Sequence, residues 1–388
     1  MRKKICIGDL GTIITGKTPS KTNKSYYGDD VAFIKPTDIS VDSKFTYETE
    51  EMYSKLAAEK YISSLIPKGA ICIPCIGTIG TKMTMTHCAC YTNQSINTII
   101  CNENYDNEYV YYLMKNFLPN LKSYNLGTAS GREFISKSNF EKIEIVAEQN
   151  KNIQKEIGKF LSRYDSLIEN YQKQIKLLEE SAQRLYKEWF IDLRFPGHEN
   201  VQIVEGVPEG WEKKPVDTIY SIKYGKNLST KLISENGKFP VYGANGVIGY
   251  YDKANCNEQV VLITSRGNGS GDVLMTYHKD AFITNNSFIV LPIEDYSYCQ
   301  LPFTYQFLKN ANFRAVRTGA AQPQLTNQSI HTVDVVLPSK DVIIDYCDEA
   351  SYNNKKIILL KNQIRLLTEA RARMLPKLMS GEISMFIY

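Results

Sequence analysis

The sequence predicts an α+β fold with an internal repeat, in which each of two similar α/β domains is followed by a long helix with a coiled-coil seam. Residues 174–190 (QIKLLEESAQRLYKEWF) return 189 positions later as residues 363–379 (QIRLLTEARARMLPKLM). Self-similarity over so long a distance indicates two copies of one unit. In both copies apolar residues alternate at spacings of three and four, which is typical of the seam of a left-handed coiled coil.

The repeat divides the chain into four segments: a first domain (1–148), a central spacer helix (149–195), a second domain (196–338) and a C-terminal spacer helix (339–388). In the two domains, short β-type runs alternate with turns rich in Gly, Asn, Asp and Pro. The predicted strands are 31–34, 70–74, 81–85, 95–101, 239–242, 259–264, 273–277 and 287–291, and the predicted short helices are 109–118 and 305–310.

Proline and glycine set the expected ends of the two long helices. The first should stop at residues 194–197 (RFPG), because proline and glycine block its continuation, and the second should bend or end near Pro376. Two similar seams in one chain are expected to pack on each other, with Arg371 as the polar break in the second seam. The alternative is two ordinary amphipathic helices on separate cores. The predicted partner-binding residues are Tyr171, Leu178, Leu185, Trp189, Leu367, Met374 and Leu378.

Composition permits a nucleic-acid-binding surface without requiring one. The 388 residues are 43% hydrophobic and carry a formal net charge of +4. No apolar run approaches the 18 residues or so of a membrane helix. The charged N-terminal stretch lacks the apolar region of a secretion signal. We therefore expect a cytoplasmic chain whose nine cysteines are reduced thiols.

Two motifs imitate ligand sites. Residues 11–18 (GTIITGKT) fit the P-loop pattern, but the residues that follow lack helical periodicity, so a β-turn with an exposed lysine is the preferred interpretation. Cys72, Cys75, Cys88 and Cys90, with His87 nearby, imitate a zinc site. The second domain does not repeat this set, and Cys72 lies in an apolar run typical of a core. The sequence leaves open whether this cluster binds a metal.

Catalytic motifs are missing from the sequence. An adenine methyltransferase would need an Asn- or Asp-Pro-Pro-aromatic motif, and the chain has none. It also has no paired-carboxylate nuclease motif with a nearby lysine. We therefore predict no catalytic residue in this chain.

Polar loops at matching points of both domains favour DNA binding. In the loop 265–271, Arg266 and Asn268 stand among glycines. Arginine can bind guanine, asparagine or glutamine can bind adenine, and glycine lets the backbone approach phosphate. Any one such loop could be a plain turn, but recurrence favours binding. The predicted DNA-binding residues are Lys17, Lys35, Thr78, Lys82, Asn93, Gln94 and Arg132 in the first domain, and Lys226, Asn245, Arg266, Asn268, Asn285, Asn286, Arg314, Arg317, Gln322 and Gln324 in the second.

Several segments together resemble one known family. They are YKEWFID (186–192), RFPG (194–197), VPEGW (207–211) and LPKLMSGEI (375–383), with KPTDI (35–39) and YGANG (242–246) in support. On these segments and the half-repeat, the chain resembles the specificity (S) subunit of Type I restriction–modification enzymes over nearly all of its length.

The resemblance implies a non-catalytic subunit whose two α/β target recognition domains each read half of a split DNA sequence. Two long antiparallel coiled-coil helices would separate these domains and give the internal repeat pseudo-twofold symmetry. Each domain with its helix would bind one modification subunit, which uses S-adenosylmethionine to methylate adenine. Restriction subunits, which use ATP and Mg²⁺, would join that core, and this chain would hold no cofactor itself. The alternative is a two-lobed protein–protein adaptor without DNA specificity. Steeply salt-dependent DNA binding would distinguish the two.

Overall fold

The computed structural model describes residues 2–125, 127, 133–235, 237–319 and 322–384. The chain forms two compact units. Unit 1 consists of Met1–Tyr171 together with Gln363–Tyr388, and unit 2 of Gln172–Asn362. Each unit therefore contains one globular region and a part of both long helices. Within the described ranges, no helix is long and apolar enough to cross a membrane.

Unit 1 is built on two four-stranded sheets and a two-stranded ribbon. Its elements are β1 (Arg2–Cys6), β2 (Gly11–Thr15), β3 (Tyr27–Gly28), β4 (Val31–Ile34), β5 (Glu51–Tyr53), α1 (Lys55–Lys60), β6 (Ile71–Pro74), β7 (Thr84–Met85), β8 (Tyr91–Thr92), β9 (Ile96–Cys101), α2 (Asn107–Phe117), α3 (Lys137–Glu141), β10 (Glu144–Glu148) and the start of α4 (Lys151–Tyr186). The sheets have the orders β2-β9-β6-β7 and β3-β5-β4-β8, and β1 pairs with β10. Only the β4–β8 pair among these is parallel.

Unit 2 repeats this plan. Its elements are β11 (Ile203–Val204), β12 (Val207–Pro208), β13 (Glu212–Pro215), β14 (Tyr220–Tyr224), β15 (Phe239–Gly243), β16 (Gly246–Tyr251), β17 (Val261–Thr264), β18 (Val273–Met275), β19 (Phe282–Ile283), β20 (Ser287–Pro292), α5 (Leu301–Lys309), α6 (Asn327–Ile330), β21 (Asp334–Leu337) and the start of α7 (Lys340–Ser380). The order β14-β20-β17-β18 matches β2-β9-β6-β7, the parallel pair β15–β19 matches β4–β8, and β13–β21 matches β1–β10. The predicted internal repeat and α+β class are confirmed.

The core of each unit joins its sheet to both long helices. In unit 1, α2 begins at the N-cap Asp106, whose carboxylate accepts the backbone N–H of Tyr109, and buries Val110 and Met114. Ile157 of α4 and Leu378 of α7 complete the same core. In unit 2, Trp189 and Phe190, in a π-helical turn that extends α4 through Lys187–Ile191, pack with Tyr346 of α7 and Phe303 of α5.

The two long helices are antiparallel within unit 2. Glu179 of α4 accepts a bond from Lys361 of α7 at 3.2 Å, and Trp189, farther along α4, packs its ring 5.7 Å from that of Tyr346, which lies earlier in α7. In unit 1, the carboxylate of Asp165 on α4 binds the guanidinium of Arg371 on α7. The polar break in the predicted seam is therefore an ion pair, because Asp165 supplies a buried partner for Arg371.

The C-terminal helix ends close to the position that the sequence predicts. Pro376 lies in α7, and the helix ends four residues later at Ser380. Proline removes one N–H and disturbs the preceding turn, but here only the last turn of the helix follows it. Of the predicted partner-binding residues, Trp189 and Leu378 are buried in the cores of their own units, whereas Tyr171, Leu178, Leu185, Leu367 and Met374 are partly exposed.

Candidate nucleic-acid interface

In unit 2, backbone hydrogen bonds join the glycine-rich loop after β17 to two other loops. The N–H of Ser265 donates to the carbonyl of Asn286 at 2.8 Å, and the N–H of Leu325 donates to the carbonyl of Ser265 at 2.8 Å. The N–H of Gly267 donates to the carbonyl of Pro323 at 3.0 Å. These bonds bring together the predicted residues Arg266, Asn268, Asn285, Asn286, Gln322 and Gln324.

The tip of the β15–β16 hairpin joins the same edge. The hydroxyl of Thr264 donates to the carbonyl of Ala244 at 2.7 Å, next to the predicted Asn245. The N–H of Asn285 donates to the carbonyl of Lys226 at 3.1 Å. We call this assembly of loops the recognition edge of unit 2: residues 226, 243–248, 264–272, 284–287 and 314–325, of which the structure describes all but 320 and 321.

Unit 1 builds an equivalent edge with the same bonds. The N–H of Cys75 donates to the carbonyl of Ser95 at 2.8 Å, and the N–H of Ile135 donates to the carbonyl of Cys75 at 3.0 Å. The N–H of Gly77 donates to the carbonyl of Glu133 at 3.0 Å. Two further bonds, from Lys17 N–H to the Thr92 carbonyl and from Asn93 N–H to the Ile34 carbonyl, attach the neighbouring segments. The predicted Lys17, Lys35, Thr78, Asn93 and Gln94 thus lie together, Lys82 follows in the same loop, and Arg132 lies outside the described residues.

Two glycines fix the shape of the paired loops. Gly77 has a φ of 77° and Gly267 a φ of 84°, and they occupy the same place in the two hydrogen-bond patterns. This left-handed conformation favours glycine, because a Cβ would crowd the following carbonyl. The glycines predicted as sites of close phosphate approach therefore also have a local structural role.

The predicted side chains divide into exposed groups and groups that hold the loops. Arg266, Asn268 and Asn245 are exposed, and so are the side chains of Lys226, Lys17 and Gln322. By contrast, Asp272 holds the guanidinium of Arg314, whose Nε lies 2.6 Å from the carboxylate.

Other predicted residues have local bonds as well. The Nε of Arg317 donates to the carbonyl of Arg314 at 2.9 Å, and the backbone of Gln324 pairs with that of Thr318. In unit 1, the ammonium of Lys35 lies 2.7 Å from Glu50, and the Gln94 amide oxygen accepts a bond from Thr18. The Asn93 amide oxygen accepts the N–H of Ser95 at 3.1 Å. These residues position the edge before any ligand arrives.

The two motifs that imitate ligand sites lie in strands and loops of unit 1. Residues 11–15 form strand β2, and no helix opens at Lys17, so the P-loop geometry is absent from this described stretch. Burial raises the pKa of Cys72 to about 12 and that of Cys75 to about 11, which favours the protonated thiol over the thiolate form that metals bind. Across the described residues, no three His, Cys, Asp or Glu side chains are grouped to hold a metal ion.

Sequence reasoning missed three residues of the unit 2 edge. Asp272 was not selected, because its partner Arg314 lies 42 positions away and nothing near Asp272 in the sequence indicates the ion pair. Val247 and Ile248 were also missed. They follow the Asn245–Gly246 turn directly, and two adjacent exposed β-branched residues at such a turn are unusual for a strand that serves only the core.

The chemistry of both edges suits nucleic acid. Guanidinium and amide groups match the hydrogen-bonding edges of bases, while lysines and backbone N–H groups match phosphates.

Comparison with known proteins agrees with this arrangement. The family model described as "Type I restriction modification DNA specificity domain" matches residues 2–180 and 208–365. A relative from Methanocaldococcus jannaschii, "Type I restriction enzyme MjaIX specificity subunit", is 27% identical over 97% of this chain and 92% of its own length. The HindI specificity subunit of Haemophilus influenzae is 36% identical over 45% of this chain and 38% of its own length. The crystal structure of a Type I restriction-modification S subunit from M. genitalium covers 100% of this chain and 97% of its own, with a TM-score of 0.62 and 19% identity, and so shares the fold.

Proposed function

Because the chain belongs to the Type I restriction modification DNA specificity domain family, we propose that it is the sequence-reading subunit of a Type I restriction–modification complex. It supplies specificity and is not itself the catalyst, as the names of its relatives as specificity subunits indicate. Each unit reads one half of a bipartite DNA target through its recognition edge.

One observation carries this proposal: the same loop assembly is built twice. The bonds of Cys75 and Gly77 in unit 1 recur at Ser265 and Gly267 in unit 2, while the exposed side chains around them differ. A fixed frame with variable polar side chains is what two readers of different half-sites require. An adaptor for protein partners would have no need of exposed amide groups and cationic side chains at both edges, such as Lys17 and Gln94 in unit 1 and Arg266 and Asn268 in unit 2.

The partners follow from the same proposal. We infer that double-stranded DNA binds the recognition edges and that two modification subunits bind the chain, with restriction subunits joining the assembly. S-adenosylmethionine, ATP and Mg²⁺ would be used by those subunits in the cytoplasm, where the nine cysteines stay free thiols.

The test is co-expression with the modification subunit of a Type I complex from the same organism, followed by mapping of methylated adenines in the host genome. We expect one bipartite motif with an unread gap. DNA binding by the complex should weaken steeply with salt, because each phosphate contact releases counterions. Methylation without a sequence motif, or binding that is insensitive to salt, would contradict the proposal and favour the adaptor.

A further inference from the structure

Two exposed aliphatic side chains stand at the tip of the β15–β16 hairpin. Val247 is 44% exposed and Ile248 is 49% exposed. The register pairs Val241 with Gly249 but Tyr242 with Val247, so Ile248 has no partner across the hairpin and forms a bulge. Bulges re-aim side chains and are common beside functional sites. Here the bulge accompanies two consecutive branched side chains that both reach solvent.

These side chains are continuous with the recognition edge of unit 2. A Cβ placed on Gly243 would lie 2.9 Å from a methyl carbon of Ile248, so the Ile248 side chain covers the tip of the hairpin. A Cβ on Gly269 would lie 3.2 Å from the amide oxygen of Asn245, so the tip also reaches the loop that carries Arg266. The apolar pair therefore shares one surface with the polar groups proposed to read DNA.

We infer that Val247 and Ile248 contact the C5-methyl group of a thymine in the half-site that unit 2 reads. This inference rests on the proposed function and names one specificity-determining contact within it. The major groove presents amide, amino and carbonyl groups that suit Arg266 and Asn268, and its one apolar feature is the thymine methyl. Contact with that methyl removes apolar surface from water on both sides.

The test replaces thymine by uracil, which lacks only the C5-methyl group. Methylome sequencing of the assembled complex first defines the half-sites, and the unit 2 half-site should contain at least one fixed A·T pair. Duplexes then carry uracil at one thymine at a time, and binding of the complex is measured. We expect about fourfold weaker binding at one thymine, or at two neighbouring ones, which corresponds to one buried methyl group.

Variants assign the effect to the hairpin. For each complex, the quantity compared is the loss of affinity when uracil replaces thymine at the sensitive position. In the Ile248→Ala complex, and in the isosteric Val247→Thr complex, this loss should be absent or clearly smaller than in the wild type. Ile203→Ala is the matched control, because Ile203 is 59% exposed on a different hairpin of the same unit, and its complex should keep the full sensitivity. Thermal unfolding of each variant verifies that it is folded.

Several outcomes overturn the inference. They are a half-site without a fixed A·T pair, binding that no uracil affects, and sensitivity that is equal in wild type and hairpin variants. A further outcome would give the two side chains a different role. If the hairpin variants bind all DNA sequences more weakly, and if binding of the wild type increases the fluorescence of 2-aminopurine at a neighbouring base step, then Val247 and Ile248 unstack bases and do not contact a thymine methyl group. Intact sequence-specific methylation in any of these cases leaves the proposed function standing, whereas absence of specific methylation overturns both.

Discussion

At the scale of single residues, two arginines of the unit 2 recognition edge differ in whether their guanidinium groups already have a partner. Arg266 is exposed, and no partner of its guanidinium is found among the described residues. Arg314 is held by Asp272, with its Nε 2.6 Å from the carboxylate. We therefore expect removal of each arginine to have a different effect on DNA binding.

Arg266→Ala should relax base preference at one position of one half-site. A bidentate contact to guanine contributes about 1–3 kcal/mol of discrimination. Methylome sequencing of the mutant complex measures it. Arg314→Ala is the contrasting variant, because loss of its bond to Asp272 loosens the loop and should weaken binding to all sequences. An Arg266→Ala motif identical to that of the wild type would make Arg266 a turn residue.

Lys115 gives a residue-level prediction about stability and pH. Burial, followed by the neighbouring charges of Arg371 and Lys44, lowers the pKa of Lys115 from 10.5 to about 7. Between these two values the unfolded chain holds a proton on Lys115 that the folded chain lacks. The contribution of this residue to the free energy of unfolding therefore rises with pH in that window, by at most about 1.4 kcal/mol per pH unit. Below pH 7 both states are protonated, and the cost of burying the charge is at its full value.

Lys115→Met should accordingly raise the melting temperature most near pH 6, and the difference from wild type should shrink as the pH approaches 10. Thermal unfolding at a series of pH values measures this. Lys159→Met, on the exposed face of α4, is the control and should track the wild type throughout. A difference that stays constant across the range would show that Lys115 acts through packing alone.

At the scale of elements, a buried polar network fixes how α4 meets α7 in unit 1. Asp165 accepts bonds from the guanidinium of Arg371 and from the hydroxyl of Tyr112, and its side chain is only 8% exposed. Burial lowers the solvation of both charges, so removal of one partner leaves the other uncompensated. A polar pair inside an otherwise apolar seam also restricts the register of two helices.

Arg371→Met should destabilise the chain by about 3–5 kcal/mol, since Asp165 is left as a buried, unpaired carboxylate. The double variant Asp165→Asn/Arg371→Met should recover most of that loss, because asparagine still accepts the bond from Tyr112 without a charge. Chemical denaturation of the wild type, the single variant and the double variant measures how much stability is recovered. The exposed pair Arg365–Glu369, 2.7 Å apart, is the control, and Arg365→Met should cost less than about 0.5 kcal/mol. A double variant no more stable than the single one would contradict the argument.

The sequence predicts elements that local apolar patterns define, and it does not predict elements that depend on pairing between distant residues. The strands Val31–Ile34 and Ile96–Cys101 were predicted within one residue, since apolar runs between turn residues mark buried strands. Strand β1 was missed, because Arg2–Cys6 is charged and partly exposed and is a strand only through its pairing with β10. The ion pair of Asp165 could not be predicted for the same reason. Its partner Arg371 is 206 positions away, and nothing near Asp165 in the sequence indicates that contact.

The candidate site was predictable to a similar degree. Recurrence located the loops 265–271 and 93–95, because repeated units place equivalent loops alike. Their hydrogen-bonding partners depend on contacts distant in sequence, so Arg314 and Lys35 were selected as DNA contacts although each is bound to a carboxylate of its own unit. The DNA-contact assignments stay predictions.

At the scale of the whole molecule, specificity without catalysis has a direct test. The purified chain, incubated with DNA, Mg²⁺, ATP and S-adenosylmethionine, should neither cleave nor methylate. Addition of the modification subunit should start methylation at the bipartite motif. Robust turnover by a preparation free of partner subunits would contradict the prediction.

The division of the chain between the units also affects the order in which the units can fold while the chain is synthesised on the ribosome. Unit 2 is one continuous stretch, Gln172–Asn362, whereas unit 1 needs its closing segment Gln363–Tyr388. That segment supplies Leu375, Leu378 and Met379 to the core, and the guanidinium of Arg2 donates to the carbonyl of Leu378 at 2.8 Å. At about 5–20 residues per second, unit 1 waits roughly 10–40 s for the closing segment after its first part has been translated. During that interval an apolar face stays open on the nascent chain, so unit 2 can be complete before the unit that precedes it, and chaperones have a defined surface to cover.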